Sequence, residues 1–157
     1  MAPLMESLLV TLHVMANLVW IGAIASVGWL TRHAGALADG KEREGARAVS
    51  RVAYELLYKR VAVPAFGISF VCGLARLFKT TDYYMHAPWF HAKLLFAFVV
   101  IGLHHVLGAR ARRMAQAAAT ADGSMQGAGV SGILTGALLA SAFLAVVFVV
   151  FQASLLK

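Results

Sequence analysis

Three histidines and a lysine lie within one strongly apolar stretch of the chain, WFHAKLLFAFVVIGLHHVLG, at residues 89–108. Ionisable side chains are costly inside a lipid bilayer, so they normally face the interior of a helix bundle and mark a site. An earlier apolar stretch, LHVMANLVWIG, carries His13 and Asn17. Neutral imidazole is a good iron ligand, and two imidazoles from different helices can hold one haem iron. These residue types therefore predict a haem site inside a membrane-spanning bundle.

The spacing of the polar residues predicts which helix faces they share, because each residue of a helix advances by about 100°. One stripe of the later segment contains His91, Phe98, Gly102 and His105. One stripe of the earlier segment contains His13, Asn17 and Trp20. We expect the two stripes to face each other and His104 to point elsewhere.

The depth of each histidine decides which of them can share a metal ion. His13 lies 19 residues before Arg32, and His91 lies 19 residues before Arg110. If both arginines mark one membrane interface, both histidines lie roughly 28 Å from it. We therefore predict that His13 and His91 are ligands of one haem b iron. His105 is about 20 Å from His91 along the helix and cannot reach the same iron.

Other polar residues have a functional and a structural interpretation. Arg76 and Lys93 could bind haem propionates by charge-assisted hydrogen bonds, but Lys93 could instead extend its amine to the interface. Any single histidine can be a hydrogen-bonded packing residue, so His104 and His105 could simply bond across helices. Trp20 could likewise pack in the core instead of contacting a cofactor.

The second apolar segment carries an arginine and a proline in YKRVAVPAFG. Arg60 could meet an anionic substrate, or it could only anchor the helix at the cytoplasmic interface. Pro64 is expected to kink the helix, because proline lacks an amide hydrogen and frees a carbonyl.

The elements that carry these residues are predicted to be membrane helices. Of the 157 residues, 61% are hydrophobic, and the mean hydropathy is +0.75, which is too apolar for a soluble domain of this size. Each of four apolar segments meets the requirement of roughly 20 residues for a membrane span. We predict one all-α domain over residues 1–157, an integral membrane four-helix bundle with helices at about 3–31, 53–78, 88–109 and 129–156.

The formal net charge of +7 does not indicate nucleic-acid binding, because the basic residues are clustered in two connections between the apolar segments. Under the positive-inside rule both connections face the cytoplasm. We therefore expect a multi-pass protein of the bacterial inner membrane, surrounded by lipid, with both termini on the periplasmic side. Residues 39–51 are predicted to form a polar surface helix, and residues 114–129 a flexible linker.

The fourth segment has no ionisable group before Lys157 but repeats small residues at Gly132, Gly136 and Ala140. Small residues at this spacing let helix backbones approach closely. The segment is predicted to serve packing or self-association, as in a homodimer or a subunit of a larger membrane complex.

Taken together, LHVMANLVWIGA, the Arg32-His33 pair, YKRVAVPAFG and WFHAKLLFAFVVIGLHHVLGARARR resemble the HemJ-type protoporphyrinogen IX oxidases, within a group that includes CopD-like membrane domains. The resemblance covers about residues 9–113. It implies that His13 and His91 are the haem-associated histidines and that His105 matches the later histidine of the family. Arg60 and Lys93 would belong to its catalytic polar set.

The resemblance implies a redox enzyme that oxidises protoporphyrinogen IX, a tetrapyrrole, and passes the electrons to a quinone. The chain departs from the family between the third and fourth helices, where ATADGSMQGAGVSG replaces an arginine and an Asn-Glu-x-Pro pattern. Two alternatives therefore stay open. One is a non-enzymatic haem b electron-transfer subunit of a respiratory complex. The other is a CopD-like copper-handling protein. Copper(I) prefers thioether or thiolate ligands, but the six methionines are dispersed along the chain.

Overall fold

The four apolar segments form four long helical units in a computed structural model of the chain, which describes residues 2–39, 42–79, 81–120 and 132–151. Their helices are α1 (Ala2–Asp39), α2 (Arg43–Arg51), a π-helical segment (Val52–Ala62), α3 (Val63–Lys79), a short α4 (Thr81–Met85), α5 (Pro88–Ala119) and α6 (Gly132–Val150). The spans Leu4–Ala38, Arg43–Lys79, Pro88–Ala119 and Gly132–Val150 are long and apolar enough to cross a membrane. The described residues contain no β-strand. The predicted all-α bundle is confirmed.

Large apolar side chains cover the outside of the bundle. Phe98 is 68% exposed, Val71 63% and Phe143 66%. Soluble proteins rarely expose continuous apolar surface, whereas a lipid-facing surface requires it. The surface therefore agrees with a multi-pass membrane protein.

Two predicted boundaries change. Helix α1 continues to Asp39 and α5 to Ala119, beyond the predicted ends at 31 and 109. The predicted linker is wrong in its first six residues, which form the end of α5 with Met114 and Ala118 buried. The Ala-rich sequence there has a high helix propensity. Residues 121–129 of that linker lie outside the described residues.

The second helical unit changes its winding before its proline. The predicted surface helix is present as α2 and runs without a break into the π segment, which ends two residues before Pro64. Proline cannot donate to the carbonyl four residues earlier, and its ring crowds that carbonyl. The π segment therefore ends close to the position where Pro64 interrupts the backbone hydrogen bonds. The segment presents Tyr54 and Tyr58 as a stacked pair, with ring centroids 6.1 Å apart.

The helices pack in two preferred pairs. Helix α1 lies mainly along α3 and the π segment, whereas α5 lies mainly along α6 and meets α1 only over a short length. Two glycines allow close approach. The side chain of Tyr58 fills the space that a Cβ atom at Gly108 would need. The side chain of Thr135 fills the corresponding space at Gly28. The shared core contains residues of all four units: Trp20, Ile24, Val27, Ala62, Val100, Leu107 and Leu138.

Candidate functional site

His13 lies in a closed hydrogen-bonded group between α1 and α3. Its Nδ1 is 2.7 Å from the carbonyl oxygen of Ser69 and 3.1 Å from Ser69 Oγ. Its Nε2 is 3.2 Å from Nδ2 of Asn17. Ser69 Oγ donates to Asn17 Oδ1 at 2.8 Å, which closes the group. Ser69 is buried, and His13 and Asn17 are half-buried.

These partners determine the tautomer of His13. A carbonyl oxygen only accepts, so the ring proton lies on Nδ1 and is donated to Ser69. The Nε2 lone pair of the neutral ring then accepts from the amide of Asn17. An imidazole held through Nδ1–H to a backbone carbonyl is the arrangement that orients metal-binding histidines. Nδ1 of His13 is therefore held by the Ser69 carbonyl, and Nε2 has the lone pair that a metal-binding histidine uses.

Two cations lie near this ring. Lys93 of α5 and Arg76 of α3 are both half-buried and close enough to act electrostatically on His13, and Arg76 also acts on Lys93. A positive neighbourhood within a membrane span favours an anionic group, such as a carboxylate. Of the predicted set, the fold thus brings together His13, Asn17, Arg76 and Lys93.

The predicted orientation of α5 is wrong. The stripe that was expected to face α1 lies on the outside of the bundle, since all its members are exposed: His91, Phe98, Gly102 and His105. The opposite face, with Val100 and His104, is buried. Helical spacing shows which residues share a face but not where that face points, because both faces of this helix are largely apolar.

The one hydrogen-bond contact of His91 among the described residues is within its own helix. Its Nδ1 lies 3.2 Å from the carbonyl oxygen of Ala87, one turn earlier in its own helix. No hydrogen bond or ring contact found among the described residues joins His91 and His13. His105 is exposed, and its ring contacts that of His104 at a centroid distance of 5.6 Å.

The most buried histidine is His104, which is 2% exposed. Trp20 Nε1 donates to its Nδ1 at 3.2 Å, and Tyr58 Oη lies 3.5 Å from its Nε2 and 3.4 Å from its carbonyl oxygen. Phe66 stacks on the imidazole at a centroid distance of 4.5 Å. His104 thus joins α1, the π segment, α3 and α5, and Trp20 is a core residue bonded to it. The bonding across helices that was one interpretation of His104 is confirmed.

The partners of His104 fix the opposite tautomer. The indole N–H only donates, so Nδ1 carries the lone pair and Nε2 carries the proton. The Nε2–H can donate to the Tyr58 hydroxyl, which can donate to the His104 carbonyl. Both ring nitrogens are used within the core. Nothing in the sequence spacing identified this centre, because its members come from separate helices far apart in the chain.

Arg60 is not part of either histidine group. It is exposed on the π segment, and Ser69 lies nine residues later, about 13 Å away along the helix axis. Among the described residues no group of three or more His, Cys, Asp or Glu side chains could hold a metal ion. Cys72 is a buried free thiol.

The chain was also compared with known proteins. No protein-family model matches it, and no curated protein or solved structure matches it either.

Proposed function

We propose that the protein is a membrane redox protein that binds haem b through His13 and oxidises protoporphyrinogen IX, with quinone as electron acceptor. The observation that carries the proposal is the 2.7 Å contact of His13 Nδ1 with the Ser69 carbonyl. This contact leaves the Nε2 lone pair as the ligand, and the amide of Asn17 would give up its bond to that lone pair. The resemblance over residues 9–113 supplies the choice of haem and substrate.

The residues around His13 fit a histidine that would hold a haem iron. A donated Nδ1 proton makes the ring more basic at Nε2 and holds its orientation. Arg76 is the cation that would bind a haem propionate. His91 is exposed, and its hydrogen-bond contact among the described residues is with Ala87 of its own helix. Its predicted role as the second ligand therefore needs a separate test.

The substrate sets further requirements for the chain. A bound haem b would supply one-electron transfer. Oxidation of protoporphyrinogen IX to protoporphyrin IX removes six electrons and six protons, which three quinone molecules could take up. Lys93, half-buried near His13, would hold a substrate carboxylate, and the exposed Arg60 would hold a second anionic group nearer the other interface. The apolar surface of the spans would let both hydrophobic partners enter from lipid.

Purification and optical spectroscopy test the haem proposal. We expect a b-type spectrum with one haem per chain that is lost in His13→Ala. The matched control is His33→Ala, which removes an exposed histidine of the same helix and should keep the haem. Loss of the low-spin spectrum in His91→Ala would support a second ligand, and an unchanged spectrum would exclude it. A colourless wild-type protein that stays without haem after reconstitution would contradict the proposal.

A second experiment separates an oxidase from an electron carrier. We expect the wild type to rescue a bacterial strain that cannot oxidise protoporphyrinogen, and Lys93→Ala to fail although it keeps its haem. Failure of the wild type to rescue despite a normal haem content would refute the oxidase and leave the electron-transfer subunit.

A further inference from the structure

A cationic groove lies at the end of the bundle opposite the first residues of α1 and α5. It has a volume of about 550 Å³, which is within the range of roughly 300–1,000 Å³ typical of ligand sites. Helix α2, the π segment and the end of α5 line it. Its polar wall consists of Arg47, Arg51, Tyr54, Glu55, Lys59, Arg112 and Gln116.

The charges of this groove are unbalanced. Four cations face one carboxylate, and Glu55 is already paired with Lys59 at 3.3 Å. Arg47 donates to the carbonyl oxygen of Thr120 at 3.5 Å. Arg51 and Arg112 are exposed and make none of the hydrogen bonds or ion pairs found among the described residues. Among the residues that the structure describes, the groove therefore offers guanidinium groups without a protein anion.

The position of the groove selects the kind of anion. Arg51 lies two residues before the second apolar segment, at 53–78, and Arg112 three residues after the third, at 88–109. Both guanidinium groups are thus at the level where a bilayer carries its headgroups, with an aromatic ring, Tyr54, beside them. Arginine binds phosphate oxygens in a bidentate way. Basic pockets between membrane helices bind phosphate-bearing lipid headgroups.

We propose that this groove is a binding site for a phosphate group, lined by Arg47, Arg51 and Arg112. The ligand chemistry is that of an anionic phospholipid headgroup or of a soluble phosphate ester. The site is separate from His13, and its occupancy does not depend on haem.

Native mass spectrometry of the full chain in detergent, titrated with phosphatidylglycerol or phosphatidylcholine, tests the proposal. We expect preferential binding of phosphatidylglycerol that weakens about 30-fold in the double variant Arg51→Gln/Arg112→Gln, which corresponds to ~1 kcal/mol for each arginine. The matched control is Arg110→Gln/Arg113→Gln, which removes the same charge from exposed positions of α5 outside the groove. The control should bind as the wild type does. Thermal unfolding of both variants verifies that they remain folded.

A competition experiment identifies the source of the phosphate. Competition by glycerol phosphate at a concentration comparable to that of the lipid would assign the site to soluble phosphate esters, and the absence of competition would assign it to the lipid. Equal weakening in the two double variants would show only diffuse attraction to net charge and would overturn the proposal. Equal affinity for the two lipids, with no binding of glycerol phosphate, would also overturn it.

Discussion

The close packing of Tyr58 against Gly108 predicts the effect of one methyl group. A Cβ atom at Gly108 would overlap the phenol ring of Tyr58, which is held between Tyr54 and His104 and cannot move aside freely. Overpacking of this kind costs about 1–3 kcal/mol. The same substitution in a helix interior otherwise gains about 1 kcal/mol through helix propensity. We therefore expect Gly108→Ala to lower or barely change the free energy of unfolding.

A second glycine of the same helix isolates the packing cost. A Cβ at Gly102 would meet no atom within 4 Å, so Gly102→Ala keeps the propensity gain alone. The difference between Gly102→Ala and Gly108→Ala should thus be about 1–3 kcal/mol, because propensity cancels. Reversible unfolding in mixed detergent micelles, followed by circular dichroism, measures it. Equal stability of the two variants would refute the proposed contact between Tyr58 and α5.

Two further contacts between helices lead to similar tests. Trp20→Phe leaves Nδ1 of buried His104 without its donor and should cost about 1–3 kcal/mol. Adding His104→Leu removes the unpaired acceptor, so the double variant should lose less than the sum of the single variants in the same unfolding assay. Strictly additive losses would show that the hydrogen bond contributes nothing. Gly28→Ala should destabilise the protein because its Cβ would overlap the side chain of Thr135, whereas Gly22→Ala, with nothing within 4 Å, should not. A melting temperature for Gly28→Ala at or above that of Gly22→Ala would contradict the packing of α6 on α1.

The residue pattern along the chain was sufficient to predict the class of fold. Apolar runs long enough to cross a membrane predict helices, because backbone groups in lipid must bond within the segment. The apolar runs correspond to all four spans, and the polar sequence at 39–51 indicated the short helix before the second. Hydropathy underestimated α1 and α5, whose ends continue beyond the apolar segments into polar or Ala-rich sequence, where hydropathy no longer marks the helix.

The sequence by itself also identified His13 and Asn17 as one group, because their spacing of four residues places them on one face of a single helix. Only the tertiary structure decided their partner. Helix α1 packs along α3, so Ser69, 56 residues away from His13, fixes the tautomer of the ring. Periodicity cannot choose between His91 and His104, since a lipid-facing and a core-facing surface are equally apolar. The packing of α5 against α6 and the π segment makes that choice, burying His104 with Trp20 and Tyr58 and leaving His91 outside.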